Sequence, residues 1–245
     1  MSKYFYDLHV HSCLSPCADD DMTPSNIAGM ATLKGLNILA LTDHNSCKNC
    51  PAFFKACKSY GIIPIAGMEL STAEDIHIVC LFEELDNAMA FDRIIESHLM
   101  PIKNRPEIFG NQFIMNGSDE ITGSEEKLLI SSTDLPVEEA IKLARECGAH
   151  VHPAHIDRES NGMIAILGDI PKEYDFDYVE LNDSNNLTDI SNRFSSINKN
   201  KVLVCSDAHH LWDISEAENS IDIDDEPYSS ALVRKNLFNI LNSIS

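Results

Sequence analysis

The chain alternates short apolar runs, rich in β-branched and aromatic residues, with longer stretches that repeat apolar positions at helical spacing. Tyr4 to Val10 reads as the first strand. Thr23-Pro24 has the form of a helix start, a capping hydroxyl followed by proline, and Gly35 closes that helix. Ile38 to Thr42 is a buried strand, and a helix from Pro51 to about Tyr60 stops at Gly61. Ile62 to Met68 and Ile76 to Phe82 are strands, and Asp86 to Ser97 is helical. Met100 to Thr133 breaks the pattern, with Asn116-Gly117 as a hairpin-type turn and Glu125 to Ile130 as a short amphipathic piece. It reads as an insertion, either a lid or a connection packed on the outside. A helix then starts at Asp134-Leu135-Pro136 and runs to Cys147, stopped by Gly148. Ala149 to Ala154, Tyr178 to Leu181 and Lys201 to Cys205 read as strands. Ser160 to Leu167 and Asn185 to Ser196 read as helices, Asp213 to Glu226 as an acidic loop, and Ser229 to Ile244 as an amphipathic helix.

Repeated strand–helix units of this length imply a parallel sheet with helices outside. One domain over residues 1–245 accommodates them, with the insertion at about 100–133. The polar residues of chemical interest fall mainly at or just after strand ends: His9, His11, His44, Glu69, His77, His155, Asp207 and His209. In a closed α/β barrel the C-terminal ends of the strands are where active sites are built.

Composition narrows the setting. The net charge of −21 argues against a surface that wraps long duplex nucleic acid, because phosphates need Lys and Arg to displace their counterions. An anionic small substrate stays compatible if bound metals reverse the local sign. No apolar stretch reaches the length of a membrane span, and Asp7, His9 and His11 come too early for a signal peptide. A cytoplasmic location with mostly reduced cysteines is expected.

Two imidazoles at His9-x-His11 can share one divalent ion, and imidazole with carboxylate suits Zn, Fe and Mn. The motif is short, and its weight comes from the company of Asp43-His44, Glu69, His77, His152-Pro-Ala-His155 and Asp207-Ala-His209. Asp7-Leu8-His9-Val10-His11-Ser12, Leu41-Thr42-Asp43-His44-Asn45, Gly67-Met68-Glu69 and Cys205-Ser206-Asp207-Ala208-His209 together resemble, in order, the four motifs of the PHP (polymerase and histidinol phosphatase) family.

That resemblance implies a distorted (β/α)7 TIM-like barrel with a cluster of two or three divalent metal ions (Mn, Fe or Zn) at the C-terminal ends of the strands. It implies a phosphoesterase that hydrolyses a phosphomonoester of a small molecule, nucleotide or short oligonucleotide end with a metal-activated water. Carried over by motif, His9, His11, Glu69 and Asp207 hold one metal, and Glu69 bridges to a second completed by His77 and His155. His44, His209 and a carboxylate of the loop after strand one hold a third, with Asp19 matching the family spacing and Asp20 its close competitor. The catalytic set is then His9, His11, Glu69, Asp207 and His209. His155 is favoured over His152 as ligand, which leaves His152 behind the ligands or facing substrate; His150 reads as a partly exposed strand residue. Arg158 is the best placed cation for the phosphate, with Lys103 and Arg105 as alternatives.

Cys13, Cys17, Cys47 and Cys50 lie in two loops that would be neighbours, where they either form a structural zinc site or pack as small residues. Two rivals to the phosphoesterase remain. An amidohydrolase would use a similar barrel, yet no Lys stands at a strand end among the candidate ligands. A non-catalytic polymerase-associated module would have lost ligands, and here every motif keeps its His or carboxylate.

Overall fold

The computed structural model describes residues 1–199 and 201–242. It is an α/β fold built on a curled six-stranded sheet. In chain order the strands are β1 (Ser2–Asp7), β2 (Ile38–Leu41), β3 (Ile63–Ser71), β4 (His77–Phe82), β5 (Phe113–Met115), β6 (Ile121–Ser124), β7 (Ala149–Pro153), β8 (Val179–Leu181), β9 (Val202–Val204) and β10 (Ser220–Ile223). The helices are α1 (Pro24–Leu33), α2 (Cys50–Tyr60), α3 (Leu85–His98), α4 (Pro106–Phe109), α5 (Val137–Glu146), α6 (Met163–Leu167), α7 (Leu187–Arg193) and α8 (Ser230–Leu241). The main sheet runs β10-β1-β2-β3-β4-β7, and β8-β9 is a separate parallel pair. That pair is joined to both sides of the curl: the Ile156 amide donates to the Glu180 carbonyl at 2.9 Å, and the His11 amide to the Ala208 carbonyl at 2.9 Å.

The sheet is not all parallel. β1, β2 and β3 are, but β4 runs antiparallel to both β3 and β7. The β3–β4 connection is only Thr72 to Ile76, too short for the crossover that parallel strands need. The stretch 213–226, read as loop, contains β10, an edge strand antiparallel to β1. Its Ser-Ile-Asp-Ile alternation is the period of a half-buried strand, masked by acidic neighbours. The last helix covers Ser230–Leu241, and Ile244 lies outside the described residues.

Strand residues alternate between two cores. Ile38 and Ala40 point with Leu8, Ile63, Ile65, Val79, Leu81 and Leu203 into the curl, where Val233, Leu237, Phe238 and Leu241 of α8 pack. Leu39 and Leu41 point outward with Met68, Cys80 and Phe82 against Ile27, Phe53, Phe91 and Ile141 of the helices. Helix ends follow local chemistry: the Thr23 hydroxyl accepts from the Asn26 amide, and Gly61 stops α2 at φ +73°, a left-handed turn that an L side chain rarely adopts.

Residues 100–132 form a looped excursion whose neck is closed by a bridge between Leu99 and Thr133. Asn116-Gly117 lies in the turn of the β5–β6 hairpin, as its signal predicts, whereas 125–130 has no helix. The excursion lies over the loop after β1: the Phe113 amide donates to the Cys13 carbonyl, and a Cβ on Gly110 would sit 2.0 Å from the Pro16 carbonyl oxygen.

Candidate metal centre

Six segments deliver their polar ends to one place, His44 arriving just after β2. β1 ends at Asp7, so His9 and His11 stand beyond it on the chain that bridges to Ala208, not within the strand. Glu69 lies inside β3, near its end. His77 opens β4, and because β4 is reversed its first residue arrives where its neighbours' last residues do. His155 follows β7, and Asp207 and His209 follow β9.

The side chains converge around Glu69. One of its oxygens lies 2.8 Å from His77 Nδ1, 3.0 Å from His155 Nε2 and 3.5 Å from His9 Nε2; the other lies 2.9 Å from His44 Nδ1 and 3.3 Å from His11 Nε2. Asp207 Oδ1 is 2.9 Å from His11 Nε2 and 3.2 Å from His9 Nε2. Among the described residues, three overlapping groups present ligand atoms within 4.8 Å of one another. They are His9, His11, Glu69 and Asp207; His44, Glu69 and His77; and His11, His44 and His209. His155 joins through Glu69.

These groups fit divalent ions. His9 Nδ1 faces Glu180 at 2.8 Å and His11 Nδ1 faces the Ser15 hydroxyl at 3.0 Å, and that hydroxyl itself donates to Asp43. Both rings therefore place their proton on Nδ1 and turn Nε2 inward, where the two Nε2 atoms lie 3.2 Å apart. With both rings neutral two lone pairs face each other, an arrangement a cation resolves. His44 Nδ1 and Glu69 Oε2 are buried and make no hydrogen bond of acceptable geometry. Buried polar atoms without partners are rare and call for an explanation such as an ion.

Protons take the cations' role in the metal-free chain. Burial pushes the His11 imidazolium down, but the hydrogen bond to Asp207 and the Glu69 carboxylate beside it more than offset it, and its pKa rises to about 9. His9 is held well above its ordinary value, against its burial, by Glu180, Asp207 and Glu69. His44 and His209, desolvated and beside His11, are lowered to about 4 and about 3. Glu69 and Asp207 stay ionised despite burial, because imidazoles surround them.

Three buried carboxylates outside the ligand groups hold the ligand-bearing loops, and sequence reading did not single them out as site residues. Asp7 accepts from the Ser206 hydroxyl (2.6 Å), the Ser206 amide (3.1 Å) and the Ser215 amide (3.0 Å), next to Asp207 at φ +52°. Asp43 accepts from the Ser12 amide and hydroxyl and from Ser15, which steadies the loop after β1. Glu180 accepts from the His155 amide at 3.1 Å, where φ is +28°. The signal for Glu180 was a lone acid in the apolar run Val179-Glu180-Leu181.

Other expected residues lie elsewhere. Asp19 is not brought into the groups: its exposed carboxylate accepts from His210 Nδ1 at 2.7 Å, while its amide donates to the His209 carbonyl. Asp20, its competitor, bonds Asn111. His152 is fully buried inside the curl, so it does not face substrate; its Nε2 lies 3.5 Å from Glu180 Oε2. His150 is likewise buried, not partly exposed, and its Nδ1 meets Asn242. Arg158 stands at the rim, 45% exposed, with one nitrogen 2.6 Å from Asp207 Oδ2. Lys103 bridges in the excursion to Lys127, and Arg105 lies over Phe109. The four loop cysteines do not gather: Cys13 packs with Ala52 and Met115, Cys17 is exposed, and Cys47 and Cys50 point at the Gly67 carbonyl from within the outer core.

The model of the PHP domain family matches residues 7–184. Stretches of the chain resemble curated proteins: 79 residues are 39% identical to a 5′-3′ exoribonuclease of Haemophilus influenzae, and 77 residues are 36% identical to an error-prone DNA polymerase of Symbiobacterium thermophilum. Each stretch is 31% of this chain and covers only 28% and 7% of those relatives. Among solved structures, endonuclease Q of Pyrococcus furiosus matches the whole chain over 57% of its own length, with TM-score 0.66 and 19% identity. A metal-dependent phosphoesterase from Bifidobacterium adolescentis matches 95% of both chains, with TM-score 0.59 and 17% identity. Endonuclease Q has also been solved with a 27-mer duplex carrying an abasic lesion at its active site, so the expectation against long duplex nucleic acid, drawn from net charge alone, has no support. No helix among the described residues is long and apolar enough to cross a membrane. The match over most of its length, together with a ligand cluster drawn from all four motifs, makes this chain a member of the PHP domain family of metal-dependent hydrolases.

Proposed function

We propose that the chain is a phosphoesterase on a distorted barrel of the (β/α)7 kind, acting on a phosphomonoester of a small molecule, a nucleotide or an oligonucleotide end. The observation that carries this reading is the Glu69-centred cluster with one exposed guanidinium at its rim. When bound, two or three divalent ions supply Lewis acidity and an activated water for attack on phosphorus. His9, His11, Glu69 and Asp207 would hold one ion, His44, His77 and His155 would extend the set around Glu69, and His209 would complete it beside His11 and His44. Glu69 and Asp207 bring two negative charges, so a loaded cluster is positive and a chain of net charge −21 can receive a phosphate there. Arg158 keeps one nitrogen on Asp207 and offers the rest of its planar fork to phosphate oxygens. The excursion at 100–132 acts as an inserted cover for the loop after β1.

A second reading, cleavage of a nucleic-acid phosphodiester, is favoured by the local match to an exoribonuclease. The deciding experiment measures phosphate or nucleotide release from phosphomonoesters, 3′,5′-bisphosphates, a 5′-phosphorylated RNA oligomer and an abasic duplex. Mn, Fe or Zn is added to wild type and His9→Ala. Release of inorganic phosphate from monoesters, lost in His9→Ala, supports the first reading. Nucleotide release from oligomers with none from monoesters supports the second. No release from any substrate, with metals bound, overturns both.

A further inference from the structure

Behind the ligands, a polar column runs through an otherwise apolar interior. Glu180 is wholly buried, and its Oε1 takes the His9 Nδ1 proton at 2.8 Å and the His155 amide at 3.1 Å. Its Oε2 has no hydrogen bond of good geometry. Facing it at 3.5 Å is Nε2 of His152, a fully buried ring both of whose nitrogens lack partners. The Cys205 thiol lies against the same carboxylate. His152 stands one strand position pair above His150, ring centroids 5.3 Å apart, and His150 ends the column on Asn242 just after α8. The aliphatic neighbours on this face are Val79, Leu81, Leu203 and Ala154, with the Tyr178 ring 6.0 Å from that of His150. An interior as apolar as this holds a carboxylate and two imidazoles only against a cost of several kcal/mol, so they persist for a reason other than packing.

We infer that Glu180, steadied by His152, is a positioning residue that fixes the metal-binding tautomer of His9 and the left-handed turn that presents His155. With Nδ1–H given to Glu180, the lone pair of His9 is confined to Nε2, the atom that faces Asp207 and His11. The same oxygen ties the backbone of His155, held at φ +28°, so one carboxylate orients ligands from two segments. A lone Glu180 could rotate away; the His152 ring, with Nε2 3.5 Å from its second oxygen, packs on that side of the carboxylate and limits the rotation. His152 touches no ligand atom and acts only through Glu180.

The inference rests on the metal-centre reading, and the test separates the two. The full chain is stripped with chelator, and Mn²⁺ affinity is measured by competition with a chromophoric chelator for wild type, Glu180→Gln, His152→Leu and His152→Gln. The Zn-loaded, ¹⁵N-histidine-labelled proteins are examined by NMR for a slowly exchanging Nδ1–H signal of His9, assigned by its loss in His9→Asn. Glu180→Gln is expected to weaken Mn²⁺ binding by about ten- to a hundredfold and to lose that signal. His152→Leu is expected to weaken binding less, and His152→Gln, which restores an N–H donor, to recover it. Wild-type affinity and an intact signal in Glu180→Gln overturn the inference while leaving the metal centre standing. Wild type that takes up no metal overturns both. If Glu180→Gln fails to fold, the His152 pair decides: no difference between Leu and Gln overturns the inference, and rescue by Gln supports it.

Discussion

Metal loading should expel protons in a countable way. In the metal-free chain at pH 7, His11 carries a proton, since its pKa stands at about 9, and so does His9, which is held well above its ordinary value. His44 and His209, at about 4 and about 3, are already neutral, and the carboxylates of Glu69 and Asp207 are already ionised. Binding divalent ions at pH 7 must therefore displace the His11 proton, and His9, shifted in the same direction, adds to the count. Removing the His11 proton at pH 7 costs about 2 × 1.36, or roughly 3 kcal/mol, and this is charged against the first binding constant. Affinity is then expected to rise by roughly tenfold per pH unit from pH 7 toward 9 for the His11 proton, more steeply while His9 also gives one up, and to level off above that. Isothermal titration with Mn²⁺ in buffers of different ionisation enthalpy reads the proton count directly, and repeating it at pH 7, 7.5 and 8 reads the slope. Pushing the pH below 6.5 adds no proton at His44 or His209 until about 4 and 3. A pH-independent affinity with no buffer dependence of the heat would refute the reasoning, because the carboxylates would then not be holding protons on the histidines.

Arg158→Ala should raise KM for a phosphomonoester by about tenfold with little change in metal content, measured by initial rates and elemental analysis; a lost metal would instead make Arg158 a support for Asp207. Asp19→Asn should leave metal stoichiometry unchanged, because its carboxylate is turned to His210; loss of one ion per chain on elemental analysis would contradict that placement. Gly110→Ala must open the contact with the Pro16 carbonyl at a residue whose φ is +99°, and should destabilise by about 1–3 kcal/mol in a urea melt; an unchanged midpoint would show that the excursion is not seated as described. In the metal-free chain, stability carried by His11, whose folded pKa is raised, is fully present below pH 6.5 and lost as pH climbs through 9. Thermal melts between pH 6.5 and 9.5 in chelator should fall accordingly, and a flat profile would oppose it.

The strands and most helices follow from residues whose preference and period agree. Thr23-Pro24 and Gly61 mark helix ends by chemistry that acts locally, and the structure uses both as expected. The reversal of β4 was not legible, because an apolar run such as Ile76 to Phe82 reads the same in either direction; only the short Thr72–Ile76 link carries the direction. The ligand motifs were legible because each pairs a histidine or acid with a strand end. The outward turn of Asp19 and the choice between the two places open to His152 were not legible for the same reason: spacing along the chain does not say which way a side chain turns. The outward turn of Asp19 depends on His210, 191 residues away, and the placement of His152 depends on which face of β7 looks into the curl. Glu180 was passed over because a single acid in a three-residue strand has no motif, although its burial makes it the partner of two ligands.

The reversed strand has a consequence for how the centre assembles. Glu69 and His77 are only 8 residues apart and belong to one hairpin, so this half of the centre is a short-range contact that can form with little loss of chain entropy. The other half is not local: His9 meets Glu180 across 171 residues and His11 meets Asp207 across 196, so it exists only once the two ends of the chain have met. An ion captured first by the hairpin and its neighbours would then draw the ends together, and the free energy of its binding would be spent on the slowest closure in the fold. Hydrogen exchange should accordingly find the segment after β9 the least protected part of the metal-free chain and the one most slowed by metal, while the β3–β4 hairpin changes little.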